Sequence, residues 1–224
     1  MDRKEDILRP PDKALPPYPA KLVNLKNGEQ LVIRQASREE VPTLLQAVSP
    51  LMKVERDFYD IVGARTYAEL LGWKVYRVRD EYCLVGLIDG TLVGLVNGRT
   101  MNDDIGISYH TIAMRRGLRI GSLLFAAKME YHLEYLGQQE VYIVAESPIG
   151  FQRWMTEYGL EERPDVQHEL GGVMSWALTK DLYAKAKGRL VLGERPVPED
   201  LLDTSKKIKL VDADALIEQI TGKA

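Results

Sequence analysis

The chain has 224 residues, of which 45% are hydrophobic and 28% charged, with a formal net charge of −3. That length suits one domain of ordinary size with extensions, and the apolar fraction excludes a disordered chain. Slight acidity argues against nucleic acid as a partner, and a single cysteine, Cys83, excludes an intrachain disulfide and a cysteine-rich metal site.

Residues 1–20 are charged and then proline-rich (RPPDKALPPYP), which reads as an extended arm. The opening MDRKEDILRPP holds no hydrophobic signal stretch, and no run approaches the ~18 apolar residues of a membrane span. A cytoplasmic protein without a membrane partner is the expectation. The β-like runs KLVNL and QLVIR flank Lys26-Asn27-Gly28-Glu29, and Asn-Gly between apolar runs signals a hairpin. Ser37, with Glu40 three residues on, makes a capping box for a helix whose apolar face is Val41, Leu44, Leu45 and Val48, and Pro50 ends it. Met52 to Leu71 is a second helical tract with Gly72 as its stop. Its amphipathic pattern suits core packing; the alternative is the wall of a substrate pocket. From Trp73 the pattern turns β. Trp73–Val78 is a candidate strand, Tyr82–Ile88 and Thr91–Arg99 make a hairpin on Asp89-Gly90, and Ile105–Met114 follows the break at Asn102-Asp103-Asp104.

That last strand delivers residues 114–137, MRRGLRIGSLLFAAKMEYHLEYLG, a basic glycine turn feeding a helix. Exposed backbone N–H groups and the positive end of the helix dipole make such a turn an anion site, and Arg115, Arg116 and Arg119 add full charge. A P-loop would need lysine before Ser122, and a dinucleotide fingerprint would need a third glycine beside Gly117 and Gly121. The helix carries Leu123, Leu124, Ala127, Tyr131 and Leu136 on one face and ends at Gly137. Glu140–Ala145 is a strand, Ser147-Pro148 caps a helix from Ile149 to Tyr158, Gly159 closes it, and Gly172–Thr179 is the final strand.

Arg116-Gly117-Leu118-Arg119-Ile120-Gly121 resembles the acetyl-CoA diphosphate loop of the GNAT acetyltransferases, Arg/Gln-x-x-Gly-x-Gly/Ala, with Arg119 where that family usually has glycine. SPIGFQRWMTEYGL resembles the family's second cofactor segment, Gly159 matching its glycine. The resemblance covers residues 21–182 and implies an α+β fold: a GNAT-like central mixed, mostly antiparallel sheet flanked by helices, with a splayed pair of central strands. It further implies acetyl-CoA as co-substrate, with direct transfer to a primary amine of a small molecule or peptide. The main chain of Ile112, Ala113 and Met114 would pair with the pantetheine arm, and Arg115, Arg116, Gly117, Leu118, Arg119, Ile120, Gly121 and Ser122 would hold the diphosphate. The family often places a tyrosine four residues before that glycine, near the sulfur; here the position is Met155. Tyr158 is the substitute candidate, read otherwise as a packing residue at a helix end. Glu146, after a strand end beside the cleft, is the candidate base, with Asp103, Asp104 and His110 behind it. His132 and His168 make no metal constellation with His110. A CoA-binding module with little or no transferase activity is the alternative. Residues 183–224 form a C-terminal extension that packs on the domain or on a partner, with a homodimer through the terminal extensions left open.

Overall fold

A computed structural model describes residues 13–144, 147–171 and 174–222. Strands β1 (Lys21–Asn24) and β2 (Gln30–Gln35) form the first hairpin. Strands β3 (Glu81–Ile88) and β4 (Thr91–Thr100) form the second, on Asp89 and Gly90, both left-handed as a two-residue turn requires. β5 (Ile105–Ala113), β6 (Glu140–Ile143), β7 (Glu161–Arg163) and β8 (Ser175–Thr179) complete an eight-stranded sheet in the order β1-β2-β3-β4-β5-β6-β8-β7. Every neighbouring pair is antiparallel except β5 and β6.

One face of the sheet is covered by α1 (Val41–Val48) and α2 (Tyr59–Lys74), whose Leu44, Val48 and Leu70 meet Val85, Leu95 and Ile112. The other is covered by α3 (Ile120–Glu130), where Leu124 and Ala127 meet Ile33, Leu84 and Val96. Each such buried leucine or valine contributes about 1.5–3 kcal/mol relative to exposure. Contact there is close. A methyl group on Gly94 would lie 2.6 Å from the Ile112 carbonyl oxygen and 2.8 Å from Leu124, so a side chain at 94 would push α3 off β4 and β5. Helix α4 (Pro148–Tyr158) starts as its sequence dictates: the Ser147 hydroxyl accepts from the Gly150 N–H, Pro148 sits where its missing N–H is harmless, and Gly159 closes the helix left-handed.

The expected strand Trp73–Val78 does not form. Helix α2 continues through Gly72 to Lys74 because Trp73 buries its ring with Leu70, three residues earlier, and the chain then turns through a left-handed Tyr76. Tertiary burial overrides the β preference of Trp-Lys-Val-Tyr. β7 carries no apolar alternation and gives no sequence signal.

The described parts of both extensions, residues 13–20 and 183–222, fold back on the domain. Leu22 and Glu194 exchange main-chain hydrogen bonds at 3.0 and 2.8 Å. Buried Glu130 accepts from Tyr18 and Lys21 at the N-terminal end of the domain and from Arg195 of the C-terminal extension at 2.7, 2.8 and 3.1 Å. Helix α5 (Lys180–Leu190) begins at Thr179, α6 (Glu199–Ser205) lies against β2, and α7 (Ala213–Thr221) buries Leu216 and Ile220 in the α1–α2 core. No helix among the described residues is long and apolar enough to cross a membrane.

Candidate functional site

Among the described residues, strands β5 and β6 pair over Ile105–Ser108 and Glu140–Ile143, and β5 then continues without a strand partner on that side to Ala113. A β-bulge starts the separation: Asn97 of β4 faces both Tyr109 and His110, between the Val96–Thr111 and Gly98–Ser108 pairs. Its side chain fills the break, with Oδ1 accepting from the His110 N–H at 3.1 Å. Fully buried Lys128 of α3 donates to the carbonyls of Tyr109 (3.3 Å) and His110 (3.0 Å) and to the Thr111 hydroxyl (3.3 Å). A buried ammonium thus satisfies main-chain oxygens at the bulge, which a protein interior does not leave bare.

The gap opens into a cavity of about 350 Å³. Its walls are the outer part of β5, the loop 115–119, the first turn of α3, the start of α4, and Asp57, Tyr59 and Val62 at the entry to α2. Gly117 and Arg119 are both left-handed, which turns the chain so that α3 starts at the cavity. The first intrahelical bond is from Leu123 N–H to the Arg119 carbonyl, so the N–H groups of Ile120, Gly121 and Ser122 precede the ladder. Gly121 lies against β5: a Cβ there would be 3.5 Å from that of Ala113.

The three strand-end residues do not present alike. Met114 N–H donates to Val93 at 2.8 Å, and by antiparallel alternation Ile112 also turns its main-chain groups to β4. Ala113 and Thr111 turn theirs to the open side, where the Ala113 carbonyl accepts from the Tyr59 hydroxyl at 2.7 Å. Each loop arginine meets a carboxylate: Arg115 with Glu29 at 2.9 Å, Arg116 with Asp57 at 2.5 Å, Arg119 with Glu157 at 2.6 Å. Arg153 of α4 donates to the Ser122 hydroxyl at 2.8 Å. Asp57 and Phe58 are successive left-handed residues, a conformation costing about 1–3 kcal/mol each that clusters at functional sites. Leu118 lies on the far side of the loop and lines a separate cavity of about 130 Å³.

Glu146 lies outside the described residues. Tyr158 is buried with its ring centre 5.4 Å from that of Phe125; it does not line the cavity, its hydroxyl has no hydrogen-bond partner among the described residues, and burial pushes its phenol well above the ordinary range. Asp103 and Asp104 are exposed and do not line the cavity. His110 is buried at the cavity edge, with Nε2 3.0 Å from Glu69 Oε1. Glu69 Oε2 accepts from Asn97 Nδ2 at 2.6 Å, and the same nitrogen reaches Glu81 at 3.1 Å. Burial, aided by the Glu69 charge, pushes the Glu81 carboxyl up to about 8. Glu69, Asn97, Glu81 and Lys128 carry no sequence signal. Glu69 in TYAELLG reads as a solvated helix carboxylate, and Lys128 as an exposed lysine.

A hairpin, two helices, a second hairpin, a strand delivering a loop and helix, and a parallel neighbour splayed from that strand make up the fold of the GNAT acetyltransferases. An uncharacterised protein of Bacillus halodurans is similar at 11% identity over 77% of this chain and 96% of its own, TM-score 0.54. RimJ of Mycobacterium smegmatis, solved in complex with CoA-disulfide, is similar at 13% identity over 79% of this chain and 98% of its own, TM-score 0.51. Spermidine N-acetyltransferase SpeG of Vibrio cholerae aligns at 16% identity over 69% of this chain and 96% of its own, TM-score 0.47. No family model matches the sequence, and no curated protein does.

Proposed function

We propose that this protein is an acetyl-CoA-dependent N-acetyltransferase that moves the acetyl group directly to a primary amine of a small molecule or peptide, in the cytoplasm. The observation that carries the reading is that one cavity is lined by both the open edge of β5 and the amino end of α3. Unpaired strand-edge groups suit the two amides of a pantetheine arm, and a helix start suits a diphosphate. The residues fit such a co-substrate. Thr111 and Ala113 offer the edge, and Ile120, Gly121 and Ser122 offer first-turn N–H groups. Arg116 and Arg119 offer charge once they leave Asp57 and Glu157. No nucleophilic side chain is needed, because main-chain N–H groups can polarise the thioester.

Thermal stabilisation by coenzyme A and acetyl-CoA tests the reading. A side chain at Gly121 meets only ordinary contacts, so Gly121→Ala folds and still responds, whereas Gly121→Glu places a carboxylate at the helix start and loses the response. No shift of the wild type at millimolar ligand refutes it. A second reading, a CoA-binding module without transfer, is favoured by the burial of Tyr158 away from the cavity and by Met155 in the place of a proton donor. Thiol release across a panel of amines separates the two.

A further inference from the structure

We propose that the second cavity, behind the loop, is a separate binding site for a small aromatic carboxylate, which tunes coenzyme affinity through Arg119. The site itself stands apart from the transferase reading; the coupling rests on it.

The cavity measures about 130 Å³. An apolar cavity of ~150 Å³ takes benzene, so this one suits a single aromatic ring. Its floor is apolar: Val23 of β1, Leu25 just after it, Leu123 of α3 and Leu190 of α5 are all buried. Its rim is basic. Lys26, Arg119 and Arg189 are exposed there, against one carboxylate, Glu157. That carboxylate is already engaged, with Arg119 at 2.6 Å and Arg153 at 3.9 Å from its Oε1. Arg189 donates instead to the Glu157 main-chain carbonyl at 2.8 Å. Among the described residues, no carboxylate forms an ion pair with Lys26 or Arg189. A ring bearing a carboxylate matches both surfaces: the floor takes the ring out of water, and the guanidinium groups meet the planar carboxylate oxygens. The walls are preformed. Leu22 and Glu194 exchange main-chain hydrogen bonds just beyond Leu192, and the Leu25 N–H donates to the Glu29 carbonyl at 2.8 Å, so the exit of α5 and the turn after β1 are both fixed.

Gly117, Arg119 and Ser122 line this cavity and the larger one alike, so the loop is their shared wall. One guanidinium cannot neutralise an anion on each side at once. A carboxylate held at the rim draws Arg119 away from a diphosphate at the start of α3, and the two anions repel across the loop. Each ligand therefore weakens the other by the same factor, as linkage requires. The Arg119 side chain is 51% exposed, so the factor is about threefold, and salt reduces it. The effect saturates instead of becoming exclusion, because the ring and the diphosphate lie on opposite sides of the loop.

Benzoate is the probe. In an amide-resolved NMR titration of the full chain, benzoate binds at about 1 mM and shifts the main-chain signals of Leu25, Lys26 and Leu192. Acetate, which has no ring, and benzyl alcohol, which has no charge, bind at least tenfold more weakly. Arg189→Gln removes an exposed rim charge and weakens benzoate about tenfold, and Leu192→Trp fills the cavity and abolishes the shifts. Both variants keep the thermal response to coenzyme A. Absence of shifts in the wild type at about 10 mM benzoate, or equal binding by Arg189→Gln, overturns the site. Isothermal titration of coenzyme A at rising benzoate then reads the coupling: the dissociation constant rises about threefold and levels off. A rise without limit, or full displacement of benzoate by the adenosine bisphosphate half of coenzyme A, makes the cavity the nucleotide end of the coenzyme site and overturns a separate effector. Benzoate binding by a wild type that ignores coenzyme A upholds the site and refutes the coupling together with the transferase reading, so the two failures are distinguishable.

Discussion

Asp57→Asn is expected to tighten coenzyme A binding about fivefold. Asp57 lines the cavity and holds Arg116, the first arginine of the loop motif. A diphosphate arriving at the start of α3 competes for that guanidinium, so binding forfeits the ion pair. The arginine side chain is 33% exposed and the carboxylate 24%, which leaves the pair partly screened and worth about 0.5–1 kcal/mol. Removing the carboxylate spares that cost and removes a like charge from the anion's path. About 1 kcal/mol corresponds to about fivefold in the dissociation constant. Asparagine is the right replacement because Asp57 is left-handed at φ 55°, a conformation asparagine adopts readily, so the Val54–Tyr59 turn is kept. The gain at Arg119 from Glu157→Gln is smaller, about twofold, since that arginine is 51% exposed. Isothermal titration with coenzyme A at low and high salt reads both effects, and salt shrinks them. Equal or weaker binding by a folded Asp57→Asn protein refutes the competition and, with it, the assignment of Arg116 to the diphosphate.

Burial holds the His132 imidazole down to about 3, between the Tyr82 hydroxyl and Gln138. Its folded pKa lies below the ordinary ~6.5, so its stabilising contribution is full above pH ~6.5 and is lost as pH falls toward 3, about 2 kcal/mol by pH 5. His168, also held down by burial, works in the same direction, so the difference in urea stability between wild type and His132→Gln at pH 7 and pH 5 isolates this group; equal pH slopes refute it. At the terminal clamp, Glu130→Gln leaves Lys21 and Arg195 without their carboxylate and costs about 3–5 kcal/mol by urea denaturation. Burial pushes the Glu130 carboxyl up, but Arg195 and Lys21 more than offset it, so its contribution is lost only as pH falls through a value below the ordinary carboxylate range. Burial presses the Lys21 ammonium down even beside Glu130, so Lys21→Met costs less than Glu130→Gln; the reverse order refutes this account of the clamp.

Features set by local chemistry were readable in the sequence. Asn27-Gly28 and Asp89-Gly90 make the hairpins, Ser147-Pro148 starts α4, and Gly117 with Gly121 marks the loop, because each depends on backbone freedom or a capping atom within a few residues. Trp73–Val78 was misread because the fate of Trp73 is decided by a core assembled from α1, β3 and β4. The partners of the loop arginines were illegible for the same reason: Glu29, Asp57 and Glu157 come from a hairpin and two separate helical segments. So was the Glu69–Asn97–Glu81 chain, since its members lie on α2, β4 and β3 and meet only when the bulge turns Asn97 inward.

A gap between two central strands is a structural problem before it is a binding site, because β6 leaves β5 with polar main-chain groups facing a low-dielectric interior. The chain answers group by group. Asn97 takes the His110 N–H, Lys128 takes the Tyr109 and His110 carbonyls, and Tyr59 takes the Ala113 carbonyl. Two of these answers differ in kind. Lys128 and Asn97 are fully buried in the core, whereas Tyr59 follows the left-handed pair Asp57 and Phe58, at the rim. The inner part of the gap is therefore preorganised, and the outer part is closed by contacts that a ligand can exchange for its own. On the proposed reading, coenzyme A affinity is then set at the rim, by what Asp57, Tyr59 and Glu157 must release.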